Sequence, residues 1–237
     1  MDAEGKTAEA HDLNRLKRLA HIGRLSAGIG HNLMTPLSLI MMNSDLLALK
    51  IQGQETLQKH LNEITQQASQ ISRIVENIMW KVSVEEQETP TYLQIGSLVK
   101  ENVQFWMGDM FFKHKLEKTF QIKVQTPPLK GVPFHFTSFM DEWIAYTIDR
   151  ARPQDGGKLR IVVDTLDEMA FYLLFEDSLP LPTSREKDVL VNGCASPFSE
   201  NYFPALCCLL RHYPAKFEVS IGQNPHQTSL RLTWTLQ

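Results

Sequence analysis

The chain has 237 residues, 43% of them hydrophobic and 22% charged, with a formal net charge of -3. That composition suits one large or two small globular domains, and without a basic excess no nucleic-acid partner is expected. The longest apolar runs, LSLIMM and MAFYLLF, are too short to span a bilayer, and the polar start MDAEGKTAEAHD has no signal-peptide core. A cytoplasmic protein with no membrane partner is therefore expected.

Residues 8 to about 84 contain no glycine or proline cluster except IQGQE, near Gly53. The part after it carries an apolar seam at Leu57, Leu61, Ile64, Ala68, Ile71, Val75 and Ile78. Steps of three and four are the spacing of a helix with a coiled-coil-like seam. Two long helices around a short polar turn make a hairpin. A lone hairpin leaves a wide apolar stripe uncovered, and a dimeric four-helix bundle buries it.

From about residue 91 the period changes. TYLQIGSLV reads as a short strand entering a helix, TFQIKVQ as a strand and PPLKGVP as a turn-rich connection. TSFMDEWIAYTIDRAR reads as a helix, with Thr137 or Ser138 as N-cap and Asp141 and Glu142 in its first turn. KLRIVVDTL and EMAFYLLFED pair as a hairpin around LDE; LPLPTSREKDVLVNGCASPFS is irregular. ENYFPALCCLLRHY is helical, and KFEVSIG with TSLRLTWTL closes a second hairpin. The expected fold class is α+β: a helical hairpin over residues 1–88, then an α/β sandwich over residues 89–237 with helices on one face of a mixed sheet. The aromatics of HFTSFMDEW are expected to pack on that sheet. Cys194 stands alone, Cys207 and Cys208 are adjacent, and no CxxC or Cys/His metal spacing is evident. Buried reduced thiols and no metal site are the expectation.

The stretch LSAGIGHNLMTPLSL carries the chemistry. His31 needs an exposed ring nitrogen to act as a phosphoryl acceptor. Ala27, Gly28 and Gly30 remove side chains from the turn before it, so that a partner can approach. Pro36 removes one backbone hydrogen bond just after it. Thr35, at i+4, shares the face of His31, where its hydroxyl can position a water or touch the phosphoryl group. A histidine packed in a bundle core is the competing reading of the same residues. His11 and His21 lack this context.

The run LAHIGRLSAGIGHNLMTPLSLIMMNSDLL, with the hairpin and sandwich, resembles the histidine kinase core of two-component systems. His31, Asn32, Leu33, Met34, Thr35, Pro36 and Leu37 are similar to the family's phospho-acceptor box. The resemblance implies a dimerisation and phosphotransfer hairpin followed by a Bergerat-type ATP-binding domain. Asn32 departs from the acidic residue usual after the histidine. An amide is no general base at neutral pH, although its oxygen can orient the ring. That weakens attack on ATP more than exchange with an aspartyl phosphate.

The ATP boxes that the resemblance implies depart further. Glu142 and Tyr146 stand where asparagines would hold magnesium. Asp177 remains as a remnant of the adenine-reading residue, but Leu179 and Leu181 replace the following glycines. Glu200 and Tyr202 replace the phosphate-cradling glycines. Gly156 and Gly157 read only as a turn. No cofactor is expected, neither ATP nor magnesium.

These residues imply a histidine phosphotransferase in a phosphorelay, a homodimer whose His31 exchanges a phosphoryl group with receiver-domain aspartates of response regulators. Asn32 and Thr35 complete the catalytic set. The receiver is expected at Thr35, Ser38, Met41, Met42 and Asp45, with Arg73 and Asn77 on the second helix. Gap-filling in the core is the other reading of Met34, Met41 and Met42. Two alternatives remain: an active sensor-type kinase with a divergent ATP site, and a non-catalytic scaffold that binds a response regulator or a kinase.

Overall fold

The computed structural model describes residues 54–192, 203–222 and 228–236, side chains at 54, 56, 58, 61 and 72 excepted, with scattered helical positions from 32 to 47. The second limb of the hairpin is α1, Gln54–Glu86. Ile64, Ile71 and Ile78 of its seam are half-buried, whereas Ala68 and Val75 are exposed. The two limbs are tied by polar groups as well. Asn43 donates to the Leu39 carbonyl at 2.9 Å, and its Oδ1 faces His60 Nδ1 at 2.9 Å. An amide oxygen only accepts, so His60 Nδ1 carries the proton.

Four residues separate α1 from β1, Thr91–Leu93, which leads into α2, Ile95–Trp106. A short α3, Met110–His114, follows, capped by Asp109, whose carboxylate accepts from Phe112 N–H at 2.7 Å. The strands are β2, Leu116–Ile122; β3, Leu129–Gly131; β4, Gly157–Thr165; β5, Ala170–Asp177; β6, Lys216–Ile221; and β7, Thr228–Thr235. The further helices are α4, Pro133–Ala151; α5, Ser184–Asn192; and α6, Pro204–His212.

Five strands form one mixed sheet in the order β2-β4-β5-β7-β6, parallel between β2 and β4 and antiparallel elsewhere. Alternation places one residue in two on the inner face. There Phe171, Leu173 and Phe175 of β5 lie opposite Trp234, Leu232 and Leu230 of β7, and Ile161 and Val163 of β4 continue the layer. All eight are buried. Helix α4 covers them, with Phe139 edge-on to Phe175 at 5.8 Å between ring centroids, so the aromatics of HFTSFMDEW do pack the sheet.

Four expectations are corrected. The connection PPLKGVP contains β3, which pairs antiparallel with β1; three residues are too few to show alternation. Helix α4 begins at Pro133, so neither Thr137 nor Ser138 caps it. Proline suits a first helical position because its missing N–H would be unpaired there anyway. Asp141 and Glu142 consequently lie in the helix interior, not its first turn. The irregular segment after β5 contains α5, announced by a capping box: Thr183 N–H donates to Glu186 Oε2 at 2.6 Å and Glu186 N–H to Thr183 Oγ1 at 3.4 Å. Finally, Cys207 is buried but Cys208 is only half-buried; Cys194 lies outside the described residues. No described helix is long and apolar enough to cross a membrane.

Candidate functional site

Of the residues expected to act in phosphotransfer, His31, Met41 and Asp45 lie outside the described residues, as do His11, His21, Met34 and Leu37. Asn32 is helical and half-buried; Thr35 and Ser38 are helical and exposed, and Pro36 is buried between them. Met42 is 51% exposed in the single chain.

A cleft of about 290 Å³ opens between the hairpin and the sandwich. Asn32, Gln66, Gln70, Arg73 and Asn77 line its hairpin side. Gln104 of α2, Gly108 of the following turn and Lys113 of α3 line the other. Lys113 Nζ reaches to 3.5 Å of Asn32 Oδ1. The described lining carries two cations and five side-chain amides and no carboxylate. Such a surface suits an anion, and fixed cations at a developing negative charge lower a phosphoryl-transfer barrier. Arg73 and Asn77 were legible as candidates. Gln104 and Lys113 were not, because only the tertiary fold brings α2 and α3 against α1.

A buried polar knot holds that arrangement. Lys81, near the end of α1, donates to Asp141 Oδ2 of α4 at 2.6 Å and to Asn102 Oδ1 of α2 at 3.1 Å. Asp141 Oδ1 accepts from Asn102 Nδ2 at 3.1 Å and Trp106 Nε1 at 2.7 Å. Lys81, Asn102, Trp106 and Asp141 are each at most 4% exposed. A buried charge needs both a counter-ion and hydrogen bonds, and this one has them from three helices.

Around the residues that the resemblance sets in the ATP boxes, the carboxylates of Glu142 and Asp177 are already engaged. Glu142 Oε1 accepts from Ala205 N–H at 3.1 Å and Oε2 from Leu206 N–H at 3.0 Å. The first N–H groups of a helix point outward and attract anions; on α6 two of them are taken by this carboxylate. Asp177, at the end of β5, is gripped by Arg150: Nη1 donates to Oδ2 at 2.9 Å and Nη2 to Oδ1 at 3.2 Å. Leu179 N–H also donates to Asp177 Oδ1, at 3.1 Å. Burial pushes the Asp177 carboxyl above its ordinary value, against the opposing pull of Arg150. Leu179 is fully buried. Gly157 makes room for it, since a Cβ there would come within 2.2 Å of Leu179 Cδ2. Tyr146 packs edge-on to Phe203 at 5.0 Å, and burial raises its phenol well above the usual range. Trp143 lies 5.8 Å from the same Phe203 ring. Glu200 and Tyr202 lie outside the described residues.

Residues 21–80 match the family model of the His Kinase A (phospho-acceptor) domain. No curated protein matches the chain significantly. Among solved structures, the chain is similar to the Acinetobacter baumannii histidine kinase AdeS, at 15% identity and a TM-score of 0.49 over 87% of this chain and 98% of that one. It is also similar to a bacterial phosphotransferase, at 11% identity and a TM-score of 0.42 over 90% and 96%. A third is histidine kinase ThkA in complex with the response regulator protein TrrA, at 15% identity and a TM-score of 0.45 over 100% and 68%. The match places a His Kinase A (phospho-acceptor) domain over residues 21–80, and His31 with its flanking box falls within it.

Proposed function

We propose that this chain is a homodimeric histidine phosphotransferase that exchanges a phosphoryl group between His31 and receiver-domain aspartates without using ATP. The observation that carries the reading is Glu142, whose carboxylate occupies two backbone N–H groups at the start of α6. A triphosphate at that helix terminus would meet a negative charge already hydrogen-bonded there. Arg150 on Asp177 and the buried Leu179 point the same way: the carboxylate that would read adenine is paired, and a leucine fills space that glycine would leave. These residues do not fit a nucleotide.

The chemistry asked of the chain is then small. An unprotonated ring nitrogen of His31 attacks the phosphorus of an aspartyl phosphate. The phosphorus–oxygen bond to the aspartate breaks, and the aspartate leaves as carboxylate. The reverse step loads a second receiver. Arg73 and Lys113 supply positive charge in the cleft beside Asn32. Val75, Met79 and Val82, 45%, 62% and 45% exposed, continue an apolar stripe along α1 that a second hairpin would cover.

The test is to incubate the protein with labelled magnesium-ATP and, separately, with a panel of phosphorylated receivers, as wild type and as His31→Ala. Label arriving only from a receiver, and only when His31 is present, is expected. Label arriving from ATP would make this an autokinase, and no label from either source would leave a binding scaffold.

A further inference from the structure

We propose that His135, Cys208 and His212 bind a soft divalent cation of the zinc class. One imidazole nitrogen from each histidine and the Cys208 sulfur all lie within 4.8 Å of one another. Cys208 and His212 are one turn apart on α6, and residues at i and i+4 of a helix share a face. The third ligand comes from the first turn of α4, where the His135 ring lies 4.8 Å from the His212 ring between centroids. The sequence reading finds no metal spacing because one ligand sits more than seventy residues away from the other two.

The hydrogen bonds around the two imidazoles favour ligation. His212 Nδ1 is 2.9 Å from the Cys208 carbonyl oxygen and 3.7 Å from the Cys208 sulfur. A carbonyl only accepts, so in the neutral ring Nδ1 holds the proton and Nε2 keeps its lone pair. His135 Nδ1 is 3.0 Å from the Tyr213 hydroxyl oxygen, which also accepts Val132 N–H at 2.8 Å. In the tautomer that donates Nδ1–H to that oxygen, His135 would offer Nε2 to a metal. Metal-bound histidines nearly always donate their other N–H to an oxygen in this way.

Donor chemistry selects the ion. A thiolate and two imidazoles suit zinc, whereas magnesium and calcium take oxygen ligands. Tetrahedral zinc with Zn–N near 2.0–2.1 Å and Zn–S near 2.3 Å sets ligand atoms roughly 3.3–3.6 Å apart. The ion would draw the three atoms together from within 4.8 Å, at a surface where His135 and Cys208 are half-buried and His212 is exposed. Binding releases the thiol proton and leaves a fourth position to water. Its consequence is mechanical: Glu142 of α4 already holds the start of α6, and the ion would fasten the other end of α6 to the same helix. The proposal stands apart from the phosphotransfer reading.

The test uses the full chain without a histidine tag, dialysed against zinc and analysed for bound metal. One zinc per chain is expected for wild type, Cys207→Ser and Cys194→Ser. His212→Ala and Cys208→Ser should weaken binding by more than the roughly 10–100-fold that loss of a ligand histidine's hydrogen-bond partner costs. With cobalt in place of zinc, wild type and Cys207→Ser should show a sulfur-to-cobalt charge-transfer band that Cys208→Ser lacks. His212 is exposed, so His212→Ala is expected to fold, and circular dichroism checks this. Zinc bound no more tightly than to a control protein, or bound equally by His212→Ala and Cys208→Ser, would overturn the site, as would a cobalt band that follows Cys207.

Discussion

Lys81 and Asp141 are sixty positions apart and form an ion pair of 2.6 Å in which neither side chain is more than 6% exposed. It joins the end of the helical hairpin to the middle of the helix that covers the sheet. Lys81→Met leaves a buried carboxylate with only the Asn102 and Trp106 donors, and removing one partner of a buried pair costs about 3–5 kcal/mol. Urea denaturation followed by circular dichroism should show a loss of that size. A loss below about 1 kcal/mol, the range of exposed pairs, would mean that the pair is solvated.

Glu142→Ala should free the Ala205 and Leu206 N–H groups. Two hydrogen bonds to a charged acceptor are lost, and each is worth about 1.5–3 kcal/mol net of exchange with water. The expected loss is at least that of one such bond, about 1.5–3 kcal/mol, with phosphotransfer from a receiver still detectable. If this substitution abolished transfer while leaving the fold intact, Glu142 would belong to the reaction and not to the support of α6.

Lys113→Ala and Arg73→Ala should each slow receiver-to-His31 transfer about tenfold or more, the kinetic equivalent of one charge-assisted hydrogen bond. Lys113→Arg should retain most of the rate. Both residues lie at the cleft rim, so stability should change by no more than about 0.5 kcal/mol. Rapid-quench phosphotransfer kinetics separate these outcomes. Unchanged rates in both alanine variants would remove the cleft from the mechanism.

Asp177 has a folded-state carboxyl raised above its ordinary value of 3.8 by burial. A raised carboxyl binds its proton more tightly when folded. Its contribution is therefore complete below about 3.8 and is lost as pH rises through the raised value. The stability of wild type relative to Asp177→Asn should increase as pH falls from neutrality toward 4. A relative stability that instead decreases on acidification would show that Arg150 outweighs burial and holds the carboxyl below its usual range.

The sequence alone was most informative where chemistry is local and periodic. The small residues before His31, the proline after it and the seam of Ile64, Ile71 and Ile78 pointed to a helical hairpin with a phospho-acceptor histidine, and residues 21–80 match the phospho-acceptor domain model. The two strand hairpins were equally legible, because alternation over seven or more residues leaves little ambiguity. Short elements were legible only in part: β1 was read in TYLQIGSLV, whereas β3, also of three residues, was not, and α5 was visible only through the Thr183–Glu186 box.

What tertiary structure decided is what each polar residue does. Asp141 and Glu142 are neighbours in sequence and looked like first-turn acids of one helix. Starting that helix at Pro133 sends Asp141 to a lysine of the hairpin and Glu142 to the start of α6. Likewise Asp177 could be read as a remnant adenine contact, yet only the fold brings Arg150 onto it, and only the packing of α4 on α6 sets His135 beside Cys208 and His212. Periodicity records which face of an element is buried. It holds no record of which distant donor meets which acceptor, since that depends on how separate elements pack.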